Sequence, residues 1–215
     1  MAGKTIPKFS RPARGRPPLS EADRKRILNA TVSVFLENGF ARAGTNEIAR
    51  RAHTSKQTLY AIFPSKDDLF AGVVSAHTEK LFARHTYYIA SARSPRRDLN
   101  DIGLMVLDLF ANAEFLALYR IVVAEAHRFP RLARQLWQQT SGRGYGLLAD
   151  YLRSRRIGGP NYRQAAARFV ALVLGDFLLN ALLNPDLVWG PRARRLRVHR
   201  AVEDFLSIFS PEGIR

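Results

Sequence analysis

A chain of 215 residues with 47% apolar content and a net charge of +16 can hold one large domain, or a small one followed by a larger one, each with a proper core. It has no cysteine, which excludes disulfides and thiolate metal sites and suits a reducing compartment. The opening residues, MAGKTIPKFSRPARGRPP, lack the apolar stretch of a secretory signal, and the most apolar run, Phe169 to Leu183, reads as too short to span a bilayer and contains Asp176. The expectation is a soluble, cytoplasmic protein with no membrane partner.

The positive charge favours a polyanionic partner but does not locate it. Arginine supplies 28 of the 34 basic residues, a bias that codon usage also produces. Residues 1–70 carry 13 basic and 6 acidic side chains, and residues 71–215 carry 21 and 12. Both segments are therefore basic, at +7 and +9.

Along the chain, residues 1–19 are rich in Pro, Arg, Lys and Gly without an apolar period, and are expected to form a disordered basic arm. Ser20 with Asp23 resembles a capping box opening a first helix, whose buried face is Ile27, Leu28, Val34 and Phe35 and whose C′ position suits Gly39. Thr45 is placed to cap a short helix with Ile48, Ala49 and Ala52 inward. His53-Thr54 makes the turn, and Ser55 is placed to cap a second short helix with Leu59, Ile62 and Phe63 inward. Pro64-Ser65 breaks the chain, and Ser65 with Asp68 starts a long helix to about residue 92.

The rest reads as helical: Arg96–Asn112, Phe115–His127 ended by Pro130, Arg131 to about Arg156 with an interruption at Gly142–Gly146, Asn161–Leu183, and Arg194–Phe209. No strand pair with hairpin punctuation occurs. The predicted fold is all-α, with a three-helix domain over 20–66 and a larger helical bundle over 67–215.

The two short helices leave Lys56, Gln57 and Tyr60 on one outer face at i, i+1 and i+4. A short helix with a donor-rich face, crossed by a second helix behind it, is the layout of a helix-turn-helix, whose partner is double-stranded DNA. Lys and Gln reach guanine or adenine edges in the major groove. Thr45 at a helix N-terminus, and Lys66 at the start of the next helix, suit phosphate.

The run T-x-x-I-A-x-x-A-x-x-S-x-x-T-L-Y-x-x-F-x-S-K-x-x-L, from Thr45 to Leu69, resembles the DNA-binding signature of TetR-type transcriptional regulators, and Gly39-Phe40-Ala41 fits the same pattern. LYRIVVAEAHRFP, Leu118 to Pro130, is similar to a segment in the ligand-binding domain of one branch of that family. The resemblance implies a homodimer of all-α subunits, each with an N-terminal reading head and a C-terminal domain that binds a small molecule and dimerises. It places Lys56, Gln57 and Tyr60 where the family reads bases or neighbouring phosphates, with Ser55 beside them. It places Thr45, Thr58 and Lys66 where the family contacts phosphates. The chain departs from the family in its turn, where His53-Thr54 replaces the usual Gly-Val. That glycine position needs a left-handed backbone, which His tolerates better than most residues, and the Thr hydroxyl needs a partner.

Upstream, Arg14-Gly15-Arg16-Pro17 resembles an AT-hook core. An extended Arg-Gly-Arg can lie in the narrow minor groove of A·T-rich DNA, with Pro keeping it extended. The competing reading is a basic tail that adds only salt-sensitive affinity.

In the larger domain, an apolar pocket is the expected site of a small hydrophobic effector. Its candidate linings are Phe82, Met105, Phe110, Tyr119, Val122, Trp137, Phe169 and Phe177, each of which also reads as plain core. Glu125, after four apolar residues, either joins that pocket or pairs with Arg128. Asp176 and Asn180 share a stripe of the most apolar helix, facing a ligand or a symmetry mate. By the same resemblance, Phe169, Val173, Leu182, Phe205 and Phe209 are candidate dimer contacts. The histidines form no HExxH or ExxH pair, and the Gly142–Gly146 cluster follows no strand, so no enzyme, cofactor or metal site is expected. The expected function is a ligand-responsive repressor. The alternatives are a constitutive DNA-binding protein without a ligand, in which the pocket would be packed solid, and a small-molecule-binding helical protein that no longer binds DNA.

Overall fold

The computed structural model describes residues 20–83, 93–184, 186 and 189–209. The basic arm with Arg14 and Arg16, and the stretch 84–92 to which the fourth helix was expected to run, lie outside them. Every regular element among the described residues is helical.

Ser20 starts α1 (Glu21–Arg42) with the capping box its spacing predicts: its side chain accepts from the Asp23 amide, and the Asp23 carboxylate accepts from the Ser20 amide. Gly39 carries a φ of 69° near the end of α1, so the last turn is a kinked continuation. The inward stripe, with Ile27, Val34 and Phe35 fully buried, packs on α2 (Thr45–Arg51) and α4 (Lys66–Phe82). The cap of α2 is Gly44, which makes no side-chain cap bond; Thr45 is the first helical residue, not the cap. Ser55 does cap α3 (Lys56–Ile62), accepting from the Thr58 amide at 3.0 Å. Ser65 caps α4 in the same way. His53 takes the left-handed conformation the turn demands, at φ 47°.

The larger part comprises α5 (Pro95–Ala111), α6 (Ala113–Glu125), α7 (Pro130–Trp137), α8 (Arg143–Arg155), α9 (Tyr162–Leu183) and α10 (Pro191–Phe209). Asn112 ends α5 and caps α6, and the two helices bend by 68° there. Pro130 opens α7 rather than ending α6, because its missing N–H costs nothing in a first turn. The expected interruption near Gly142 is a π-helical turn over Gln138–Gly142, joining α7 to α8.

At 22 residues, with a stretch of mean hydropathy 1.8, α9 is long and apolar enough to cross a membrane, contrary to the expectation from its shorter core run. Its inner stripe is already occupied. Phe169, Val173, Phe177 and Ala181 are buried against α5, α8 and α10, and the helix is broken at Gly175. It reads as the core helix of the bundle.

The hydrophobic core runs without interruption from α1 to α10. Its junction is a phenylalanine cluster: Phe40 stacks edge-on against Phe70 of α4 and against Phe129 between α6 and α7, at 6.2 and 5.1 Å. The reading head is thereby packed onto the larger bundle through aromatic contacts.

Candidate DNA-reading face and apolar cavity

The outward residues of α3 stand as the spacing predicts. Lys56, Gln57 and Tyr60 are exposed, while Leu59 is buried beneath them. The Tyr60 hydroxyl lies 3.1 Å from the Thr45 hydroxyl, tying the start of α2 to the outer face of α3. The Lys56 ammonium stands 5.8 Å from the Tyr60 ring centre. A cation, an amide and a phenol thus share one face that the rest of the head leaves open.

Two predicted phosphate contacts take other roles. Thr58 is buried and its hydroxyl lies 2.8 Å from that of Ser55, so it braces the cap instead of facing out. Lys66 turns inward. Its ammonium donates to the carbonyls of Phe40 at 2.7 Å and Ala41 at 3.1 Å and stands over the Phe40 ring. It ties the kinked end of α1 to the start of α4. Burial pulls its pKa below the usual lysine value, opposed by the neighbouring Asp67.

Ion pairs stiffen α2 behind this face. Hydrogen bonds from Arg50 and then Arg51 hold the Glu47 carboxyl down to about 2. Arg51 also grips Glu37 of α1 with two bonds, at 2.5 and 2.6 Å. Arg26 donates to the Ala52 carbonyl at 3.0 Å, closing the end of α2.

In the larger bundle, α4, α5, α8, α9 and the π-turn enclose a narrow cavity of about 90 Å³. That volume is enough for several waters. Of the residues predicted to line it, Phe82, Met105 and Phe110 do. The walls also include Ile102, Val106, Leu109, Thr140, Tyr145 and Tyr151, none of which was singled out from the sequence. Tyr151 carries the deepest polar group. Its hydroxyl donates to Asp98 at 3.1 Å, and Asp98, itself fully buried, is held by Arg155 at 3.3 Å. Burial, then the Asp98 charge, pushes the Tyr151 hydroxyl well above the usual tyrosine range, so it stays neutral.

The remaining candidates lie elsewhere. Tyr119 packs edge-on against Phe110 at 5.5 Å, one layer behind the wall, and burial raises its pKa. Val122, Phe169 and Phe177 are core. Trp137 is exposed and stacks edge-on against Tyr145 at 5.7 Å. Glu125 pairs with Arg128 at 3.4 Å, the structural alternative weighed above.

The candidate dimer contacts divide. Phe169, Val173 and Phe205 are fully buried within the protomer, with Phe169 and Phe205 packed edge-on at 5.2 Å between α9 and α10, so they cannot meet a partner. Phe209 packs on Phe205 and Leu182 is half-buried. Asp176 is bound to Arg197 of the same chain at 2.8 Å, and Asn180 donates to the Asp176 carbonyl. The large apolar side chains that α9 and α10 leave exposed are Leu179, Leu183, Leu196 and Ile208.

Comparison with known proteins places this geometry. Residues 27–73 match the model of the tetR family of bacterial regulatory proteins. Residues 97–211 match the C-terminal domain of AefR-like transcriptional repressors. The HTH-type transcriptional regulator YvkB of Bacillus subtilis is 23% identical over 184 residues, 80% of this chain and 90% of its own. A TetR-family regulator from Mesorhizobium loti shares the fold with a TM-score of 0.76 at 21% identity, over 89% of this chain and 99% of its own. The flavonoid-responsive regulator FrrA superposes with a TM-score of 0.71 at 27% identity, over 90% of this chain and all of its own. A helix-turn-helix head packed on an AefR-like bundle identifies the chain as a member of the TetR family, a DNA-binding transcriptional regulator.

Proposed function

We propose that the protein is a homodimeric repressor that binds a palindromic operator and is released from it by a small hydrophobic effector. The observation that carries the effector half is the open cavity beside α4, where a constitutive DNA-binding protein would have a solid core. The cavity wall and the reading head share α4, which starts immediately after α3 and brings Phe82 to the cavity. The π-turn supplies Thr140 and Ser141 to the wall and also packs against α4. Single π-turns inside helices recur at functional sites, because the extra residue is readily shifted. An effector that pushes the π-turn and Phe82 apart favours a different tilt of α4, and α3 with it. Linkage then lowers operator affinity by the effector's preference for that tilt. The flavonoid response named for FrrA supports an aromatic effector.

Dimerisation is assigned to the outer faces of α9 and α10, with Leu179, Leu183, Leu196 and Ile208 in place of the buried Phe169, Val173 and Phe205. In a dimer, two α3 helices about one DNA turn apart read the two half-sites. Lys56 and Gln57 are assigned to base edges, and Tyr60 and Thr45 to the flanking phosphates, with Ser55 setting the pitch of α3.

The test is operator mapping by nuclease protection with the full chain, followed by release with aromatic compounds. A symmetric footprint lost on adding compound supports the reading. A specific complex that no cavity-binding compound alters, in wild type or with the cavity filled by Val106→Phe, overturns the effector half. The arm is tested with Arg14→Ala combined with Arg16→Ala. Minor-groove contact predicts a larger loss on A·T-flanked than on G·C-flanked operators, and an equal loss reduces the arm to general electrostatics.

A further inference from the structure

Only 28% of the most apolar stretch of α9 is buried within one protomer. Beside it, α10 turns Val198, Ala201, Val202, Phe205 and Leu206 into the core. The outer face of α10 carries a row of four exposed side chains, each four residues after the last: Leu196, Arg200, Asp204 and Ile208. Arg200 and Asp204 stand one turn apart and do not bond each other. Among the described residues, neither side chain has an ion pair or a hydrogen-bond partner. Other charges on the helix are taken up inside the protomer. Arg194 pairs with Asp108, Arg197 with Asp176 and Glu203 with Arg96.

The row runs apolar, basic, acidic, apolar. Reversed, it runs apolar, acidic, basic, apolar, which is its own complement. Two copies laid in opposite directions therefore match along the whole row. Each Arg200 meets the partner's Asp204, and each Leu196 meets the partner's Ile208. The pairing is symmetric about a two-fold axis level with Val202, as a contact between like surfaces requires. Rows spaced by four residues lie alongside one another when two helices cross at about −50°, the commonest packing class in globular proteins. Pairing in the same direction instead sets Arg200 on Arg200 and Asp204 on Asp204, which replaces two attractions by two repulsions. An anionic lipid surface suits Arg200 but repels Asp204.

We infer that the partner of this face is a second copy of the same chain with its α10 reversed, and that Arg200 with Asp204 is the charge pair that selects it. This rests on the reading of α9 and α10 as the dimer face, and it fixes the direction and register which that reading leaves open. The apolar side chains supply buried area. The charges supply direction, and they disfavour a chain of the same fold with a different row.

The experiment is sedimentation equilibrium of the full-length chain carrying Arg200→Asp and of the chain carrying Asp204→Arg. Each variant alone sets two like-charged pairs across the interface. Each is expected to raise the dimer dissociation constant about a hundredfold or more over wild type. Mixed in equal amounts, the two variants carry opposite charges at both meeting points. The mixture is expected to form a heterodimer of wild-type strength, which also shows that both chains are folded. Direction is read with a short bis-maleimide, since the chain has no cysteine of its own. Leu196→Cys alone is expected not to link, and Leu196→Cys combined with Ile208→Cys is expected to link two chains. A dimer that the charge variants leave unchanged, that the mixture fails to restore, or that links through Leu196→Cys alone overturns the reversed pairing and leaves the homodimer reading standing. A wild-type chain that stays monomeric overturns the homodimer reading and the pairing with it.

Discussion

The guanidinium of Arg197 sits in the break that Gly175 makes in α9. At Gly175 the backbone turns to φ 40° and ψ −127°, which frees the carbonyls of the turn before it. Arg197 reaches across from α10 and donates to the Val173 carbonyl at 2.6 Å, the Leu174 carbonyl at 2.9 Å and the Asp176 carboxylate at 2.8 Å. A Cβ on residue 175 would overlap its Nη2. Arg197→Ala leaves two carbonyls unpaired and is expected to cost about 1–3 kcal/mol in denaturant unfolding. Gly175→Ala combines the clash with a backbone conformation few residues adopt, and is expected to cost at least about 1–3 kcal/mol. Unchanged midpoints in both variants would remove Arg197 as the brace of α9.

On the reading face, Gln57 and Lys56 should separate by the kind of contact they make. Gln57→Ala is expected to cost about 1–3 kcal/mol on the cognate operator and little on unrelated DNA, as a base contact does. Lys56→Ala, which removes a base contact and a positive charge together, should cost most on the cognate operator, weaken unrelated DNA as well, and reduce the salt dependence by about one unit. Tyr60→Phe removes the bond to Thr45 and is expected to weaken operator binding with little change in melting temperature. Titration over a range of salt concentrations measures all three.

The turn makes a stability prediction. His53 holds φ 47° on an exposed turn. His53→Val, β-branched, is expected to lose about 1–2 kcal/mol, whereas His53→Gly should hold or raise the melting temperature. Equal melting temperatures for the two variants would mean that the turn relaxes to negative φ.

Glu47 makes the head acid-sensitive. Its carboxyl is held at about 2 in the folded protein, first by Arg50 and then by Arg51, against an ordinary value of 4.5. A depressed folded pKa contributes stability that is fully present above 4.5 and is lost as pH falls towards 2. Stability of the wild type and of Glu47→Gln should therefore converge over that window. Parallel curves across it would show that the pairs with Arg50 and Arg51 do not hold in solution. Because Glu47 is on the surface, salt should narrow the difference.

Much of the head was legible because its determinants are local. Ser20 with Asp23, Ser55 and Ser65 announce helix starts by spacing, and Lys56, Gln57 and Tyr60 follow from the period of α3 once Leu59 is inside. Lys66 was misplaced because nothing in its own neighbourhood tells of the Phe40 and Ala41 carbonyls 26 and 25 residues away. Thr58 was misplaced although its partner is local: the Ser55 that caps α3, three residues back, also takes up its hydroxyl. Phe82, Met105 and Phe110 reached the cavity as large apolar residues, but so did the core residues Phe169 and Phe177, because apolarity marks burial and not the presence of a space beside it.

By itself the sequence determined the helical class, the helix-turn-helix and which face of α3 lies outward, since these depend on contacts within a few residues of chain. Only the tertiary structure decided where the cavity lies, that the Tyr151 hydroxyl is bound to the buried Asp98, and that Phe169, Val173 and Phe205 are used up inside one protomer. Each of those depends on helices brought together from distant parts of the chain, such as Asp98 of α5 meeting Tyr151 of α8, and no periodicity along a single helix records its neighbour.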